Sequence, residues 1–105
     1  MLIKLNQEKA AGLHQLIMFL METYPPENKA EKLLHMMVNR VRIKLRNKLE
    51  SLSLKNSYSI SLTDEEALSL DLYIAQMEAS IEFNIYIYEK SVAKDVTNEI
   101  DRVLG

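Results

Sequence analysis

Cysteine and tryptophan are absent from the 105 residues, and glycine and proline occur twice each. Without cysteine there is no disulfide framework and no thiol nucleophile, and a structural zinc site loses its usual ligands. Pro25 and Pro26 are adjacent and Gly105 is the last residue, so Gly12 is the one breaker standing alone within the chain. There is no linker-like or low-complexity tract, and a chain so poor in breakers is expected to form mostly long helices. The longest apolar run, Leu16 to Met21, has six residues, far short of the ~20 that a membrane span requires. The opening MLIKLNQEKAAG has no basic region followed by an apolar run and a cleavage site, so it does not read as a secretory signal. No membrane partner is expected, and the expected compartment is the cytoplasm. The net charge of −2 disfavours a generic polyanion binder. Glycine-rich phosphate loops and calcium loops of alternating oxygen ligands are both absent.

What is present is helical periodicity. Asn6 can cap a helix reaching about Tyr24, with Ala10, Leu13, Ile17, Leu20 and Tyr24 on one stripe. Gly12 inside it costs about 1 kcal/mol against alanine unless something packs close to it. Pro25 and Pro26 end that helix. Glu27 to about Leu52 reads as a longer one, striped by Ala30, Leu34, Met37, Val41, Leu45, Leu49 and Leu52. After a polar turn at 55–57, YSISL reads as a short strand with Tyr58, Ile60 and Leu62 on one face. In LTDEEALSL, Thr63 and Glu66 have the spacing of a capping box, Leu62 and Ala67 that of a hydrophobic staple, and Asp64 and Glu65 suit the positive end of a helix. From there a stripe runs through Ala67, Leu70, Ile74, Met77, Ile81, Ile85, Tyr88, Val92, Val96, Ile100 and Val103. One helix of 41 residues to Leu104 would span about 60 Å, so compactness favours a break near Met77 to Glu82. FNIYIY, residues 83–88, reads as helix, with a strand as the rival.

The segments Ile3–Ile17 and Ile60–Ile74 match at an offset of 57 residues. Ile3 falls on Ile60, Leu5 on Leu62, Asn6 on Thr63, Ala10 on Ala67, Leu13 on Leu70 and Ile17 on Ile74. This is the pattern of an internal strand–helix–helix duplication, although any two strand–cap–helix units share the same grammar. The two extended pieces need partners for their edges, either each other or a second chain.

Charge is segregated. From Arg40 to Lys55 there are six basic residues against Glu50 alone, and from Asn56 to Glu89 seven acids and no base. In RVRIKLRNK the basics Arg40, Arg42, Lys44, Arg46 and Lys48 bracket the apolar stripe of the second helix. That is a usual place for long stems to cover a core edge. A phosphate-contacting face is the rival reading. Against it stand the acidity of the chain and the absence of aromatic residues among the basics.

His14 and His35 are the only histidines. Neither has a neighbour at metal-ligand spacing, so both read as polar or interface residues. The acids Glu65 and Glu66 are explained by the helix cap, and Glu78 and Glu82 lie one turn apart on a polar face. Met36, Val38 and Ile43 fall outside the stripe of the second helix. Phe19, with Leu16, Met18 and Met21, falls outside that of the first, and Phe83, Tyr86 and Ile87 outside that of the last. This surplus exceeds what a small four-helix monomer needs and points to a subunit or partner-protein interface. The expected fold is mainly α: residues 1–105 form a single domain of four helices with two short extended segments. The expected role is non-catalytic, that of a small homo-oligomeric interaction or accessory protein with no cofactor and no metal. The alternative is a nucleic-acid-associated protein using Arg40, Arg42, Lys44, Arg46 and Lys48.

Overall fold

The computed structural model describes residues 1–51, 57–80 and 86–105. Over these residues the chain is mainly α, with four helices and two short strands. In chain order these are β1 (Leu2–Asn6), α1 (Gln7–Thr23), α2 (Lys29–Glu50), β2 (Ser57–Ser61), α3 (Asp64–Met77), a single 3-10 turn (Glu78–Ser80) and α4 (Ile87–Leu104).

Side chains start three of the helices. Asn6 accepts from the Lys9 amide at 2.7 Å and Asn28 from the Glu31 amide at 2.8 Å. At Thr63 the capping box closes both ways: the Glu66 amide donates to Thr63 Oγ1 at 3.1 Å, and the Thr63 amide donates to Glu66 Oε1 at 2.9 Å. Each such cap stabilises its helix by about 1 kcal/mol. The expected break in the long stripe is real on its first side, since α3 ends at Met77 and the 3-10 turn follows. Of FNIYIY, Ile87 and Tyr88 are helical; Ile81, Phe83 and Ile85 lie outside the described residues, as does Leu52.

β1 and β2 pair antiparallel, with Ile3 opposite Ile60 and Leu5 opposite Tyr58. Those four side chains turn inward and are buried, while Leu2, Lys4 and Asn6 face out. A lone pair of strands is marginal in water. Here one face is covered, because the ladder lies along α1 and α2. The helices form a ring: α1 packs on α2 and α4, and α3 packs on the same two.

The core takes Leu13, Leu16, Ile17 and Leu20 from α1, Val38, Val41 and Leu45 from α2, Leu70, Tyr73 and Ile74 from α3, and Val92, Val96 and Ile100 from α4. Each such aliphatic side chain contributes roughly 1.5–3 kcal/mol of burial. Helix α1 is buried over a wider arc than its sequence stripe, because it touches two helices and the sheet; this places Leu16 in the core. Gly12 is explained from the opposite wall. A methyl group there would sit 3.2 Å from Tyr88 Cε1 on α4 and 3.7 Å from Glu89 Cγ, so the missing side chain lets α4 approach.

Candidate interaction surfaces

The basic residues of α2 do not converge on one surface. Lys44 turns to α3 and β2: its Nζ donates to Glu66 Oε1 at 2.6 Å and to the Ser61 carbonyl at 2.7 Å. Arg42 Nε donates back to Asn39 Oδ1 at 2.7 Å. Arg46 Nε lies 3.9 Å from Glu50 Oε1, one turn along the same helix. Arg42, Arg46 and Glu50 act on His14 of α1, so they lie on the α1 side of α2. Arg40 and Lys48 are exposed. Helical geometry explains the split, since residues two apart differ by about 200° around the axis.

Glu66 is the one buried charged residue in the described core, 3 % exposed. Burial pushes its carboxyl up, but hydrogen bonds from Lys44 and from the Thr63 amide outweigh that and leave it below its ordinary value. This is a structural anchor that ties the α2 flank to the start of α3.

The histidines lie apart. His14 is half-buried, and its Nε2 has no hydrogen-bond partner. Burial lowers its pKa first, and Arg42 and Arg46 lower it further against the opposing pull of Glu50. His35 meets Tyr73 edge-on, with ring centroids 5.3 Å apart. His35 and Tyr73 also line an open cavity of about 590 Å³ with Glu27, Glu31 and Gln76. Glu31 is already engaged there, its carboxylate accepting from the Glu27 amide at 2.6 Å. Among the described residues no three of His, Asp and Glu gather where they could hold a metal ion.

A second groove of about 490 Å³ runs between α3 and α4. Asp71 and Asp101 line it, one from each helix, close enough for a proton on one carboxyl to bond the other. Burial, then that bond, then the Asp101 charge raise the Asp71 pKa to about 6. Sequence spacing gave no hint of this pair, because its members are 30 residues apart on different helices.

The apolar surplus is placed differently from the expectation. Val38 is a correction: it is fully buried with Val41 and Leu45, so it cannot serve as an exposed interface residue. Met37 and Val38 each sit three or four residues from both Leu34 and Val41, so spacing cannot choose between them; packing chose Val38 and left Met37 half-buried. Phe19 and Tyr86 are half-buried against the core and pack on each other, centroids 4.6 Å apart, closing α1 onto the start of α4. Ile43 is half-buried, and Phe83 lies outside the described residues. Among the described residues of that surplus, Met36 and Ile87 are exposed, at 62 % and 68 %.

Four large apolar side chains stand out on neighbouring helices: Leu33 (62 % exposed) and Met36 on α2, Leu68 (48 %) and Leu72 (52 %) on α3. Leu68 and Leu72 fall off the stripe of Ala67, Leu70, Ile74 and Met77, so helical spacing does not single them out. Among the described residues no helix is long and apolar enough to cross a membrane. Compared with protein-family models, with curated proteins and with solved structures, the chain matches none.

Proposed function

We propose that this protein is a non-catalytic, homo-oligomeric interaction or accessory protein whose contact face is the outer side of α2 and α3. The observation that carries this reading is the group Leu33, Met36, Leu68 and Leu72, each about half or more exposed on two helices that pack side by side. Isolated exposed leucines are ordinary, but several on one helix pair form the kind of patch that marks a contact surface. The cytoplasm remains the expected setting on the sequence alone.

The nucleic-acid reading draws less support. Lys44 is committed to Glu66 and Ser61, Arg42 to Asn39, and Arg46 to Glu50. A phosphate face needs several bases pointing one way. We also read the two strand–helix–helix halves as a duplication. The 57-residue offset carries Ile3 onto Ile60, and these two pair directly across the ladder, where a two-fold axis relating the halves would pass.

Sedimentation velocity across a concentration series tests the main reading. A dimer or larger closed oligomer that populates into the high micromolar range is expected. A monodisperse monomer throughout overturns it. Retention on heparin that weakens steeply with salt would move the balance to the nucleic-acid alternative.

A further inference from the structure

The two outer edges of the ladder are closed differently. The Leu62 amide donates to the Met1 carbonyl at 2.9 Å, and the bonding alternates from there along β1. Ile3 and Leu5 therefore bond to β2, while the N–H and C=O groups of Leu2 and Lys4 point to the open side. On β2 the outward groups belong to Ser57, Ser59 and Ser61. Helix α2 packs on β2, and Lys44 donates to the Ser61 carbonyl at 2.7 Å. Helix α4 packs less closely on β1. Among the described residues nothing bonds to the outward backbone groups of Leu2 and Lys4.

A groove of about 340 Å³ lies there, lined by Leu2 to Leu5 of β1 and by Asp95, Val96 and Glu99 of α4. Leu2 and Lys4 face out, and Ile3 and Leu5 face in. A groove lined from both faces of a strand runs along its edge. Its two carboxylates are not equal. Glu99 accepts from Arg102 on its own helix. Asp95 is exposed and has no partner among the described residues.

We infer that this edge takes a third strand: an extended segment of a partner protein with a lysine or arginine beside Ile3. This site lies apart from the α2–α3 face and does not rest on the oligomer reading. The unpaired groups recur at the spacing of a strand, and extended backbone is what answers them. A residue of the added strand shares the face of the β1 residue beside it. The one beside Ile3 points to the helix side, where Asp95 receives a base. Those beside Leu2 and Lys4 point outwards, where an apolar and an acidic side chain fit. A third strand also strengthens a two-stranded ladder, which is marginal alone. A second copy of β1 is the poorer occupant. Its full antiparallel register sets Lys4 opposite the partner's Lys4, and like charges placed there are destabilising. The register shifted by two residues sets Ile3 beside the partner's Ile3 and leaves Asp95 without a base.

NMR titration of the full chain with the peptide acetyl-TEKVT-amide tests this. Lying antiparallel, its glutamate falls beside Lys4, its lysine beside Ile3 and its valine beside Leu2. Saturable shifts confined to β1 and the adjoining side of α4 are expected, with slowed amide exchange at Leu2 and Lys4. Asp95→Lys should weaken binding about tenfold, and so should exchanging the two charged residues of the peptide. Lys4→Pro removes an outward N–H that the ladder does not use. It should abolish binding while circular dichroism reports unchanged helix content. Absence of saturable shifts overturns the inference, as does equal affinity for the exchanged peptide and for Asp95→Lys. Wild-type self-association that Lys4→Pro abolishes would give the edge to a second copy and overturn the choice of occupant.

Discussion

Lys44 of α2 holds the buried carboxylate of Glu66 on α3 at 2.6 Å, while the Thr63 amide donates to the same oxygen at 2.9 Å. The pair joins a helix cap to a neighbouring helix, so the α2 flank and the start of α3 are fixed together. The two partners differ in exposure: the Lys44 side chain is 38 % exposed and that of Glu66 is 4 %. The lysine therefore keeps part of its hydration, while the carboxylate depends on its partners.

Lys44→Met should leave the buried Glu66 carboxylate with Thr63 alone as its donor. The expected cost is about 1–3 kcal/mol, below the full penalty for a sealed ion pair because solvent reaches the lysine side. Glu66→Gln in the same background should recover part of that loss, giving a coupling of about 0.5 kcal/mol or more in a double-mutant cycle. Glu66 also contributes to the acid limb of stability. Its folded pKa is lowered, so its contribution is present above the unfolded carboxyl range and disappears as pH falls through the folded value. Urea unfolding at fixed protein concentration should show a shallower acid limb for Lys44→Met. Equal stability of the variant and wild type at neutral pH would contradict the anchoring role.

Tyr73 has the reverse problem. It is fully buried, and its hydroxyl has no hydrogen-bond partner. Burial alone pushes its pKa up to about 12. Its ring fills core volume and carries the edge contact to His35, whereas its hydroxyl adds a desolvation cost. Tyr73→Phe should therefore be neutral or stabilising, by up to about 1 kcal/mol. Tyr73→Ala should cost about 3–5 kcal/mol through lost contacts and a cavity. In an absorbance titration one of the five tyrosines should ionise later than the rest, and Tyr73→Phe should remove that late step. A loss of more than about 1 kcal/mol in Tyr73→Phe would mean the hydroxyl is bonded after all.

Where sequence carried the fold, the signal was local. Asn6 and Thr63 announce their helices because a capping side chain acts within three residues, and the pair of prolines stops α1 for an equally local reason. Gly12 was legible as a position wanting a close neighbour, but Tyr88 as that neighbour was not, since it arrives from a helix 76 residues later. Val38 was misplaced because a 3.6-residue period lets adjacent positions both fit a stripe, and the choice falls to the packing partners. The basic helix was legible as two flanks, and each flank found its own partner. The Asp71–Asp101 pair and the exposed Leu68 and Leu72 were beyond reach. The first is a tertiary meeting of two helices, and the others are apolar residues whose exposure depends on how α3 is rotated.

Asp71 and Asp101 face each other across the seam of α3 and α4, in a groove whose other charged lining groups are Glu78, Lys90 and Lys94. Two carboxyls can bond only while one holds a proton. The proton is shared by the pair and is held up to about pH 6, the raised value at Asp71. In the unfolded chain an aspartate releases its proton near pH ~3.9. Between roughly pH 4 and 6 the folded protein therefore binds a proton that the unfolded chain has lost, and this term stabilises the fold at the acid end and fades as pH rises through about 6. His14 works in the opposite direction. Its pKa is lowered in the fold, so its term is present above about pH 6.5 and is lost as pH falls below that value. Asp71→Asn keeps a donor for Asp101 and removes the second charge at every pH. It should therefore be more stable than wild type at pH 8, by about 1 kcal/mol after allowing for solvent screening at this half-buried site. The difference should close towards pH 4.5, where the wild-type bond is intact. Urea titrations at both pH values check this: a gap that is the same at both, or of opposite sign at pH 8, would show that the two carboxyls do not share a proton.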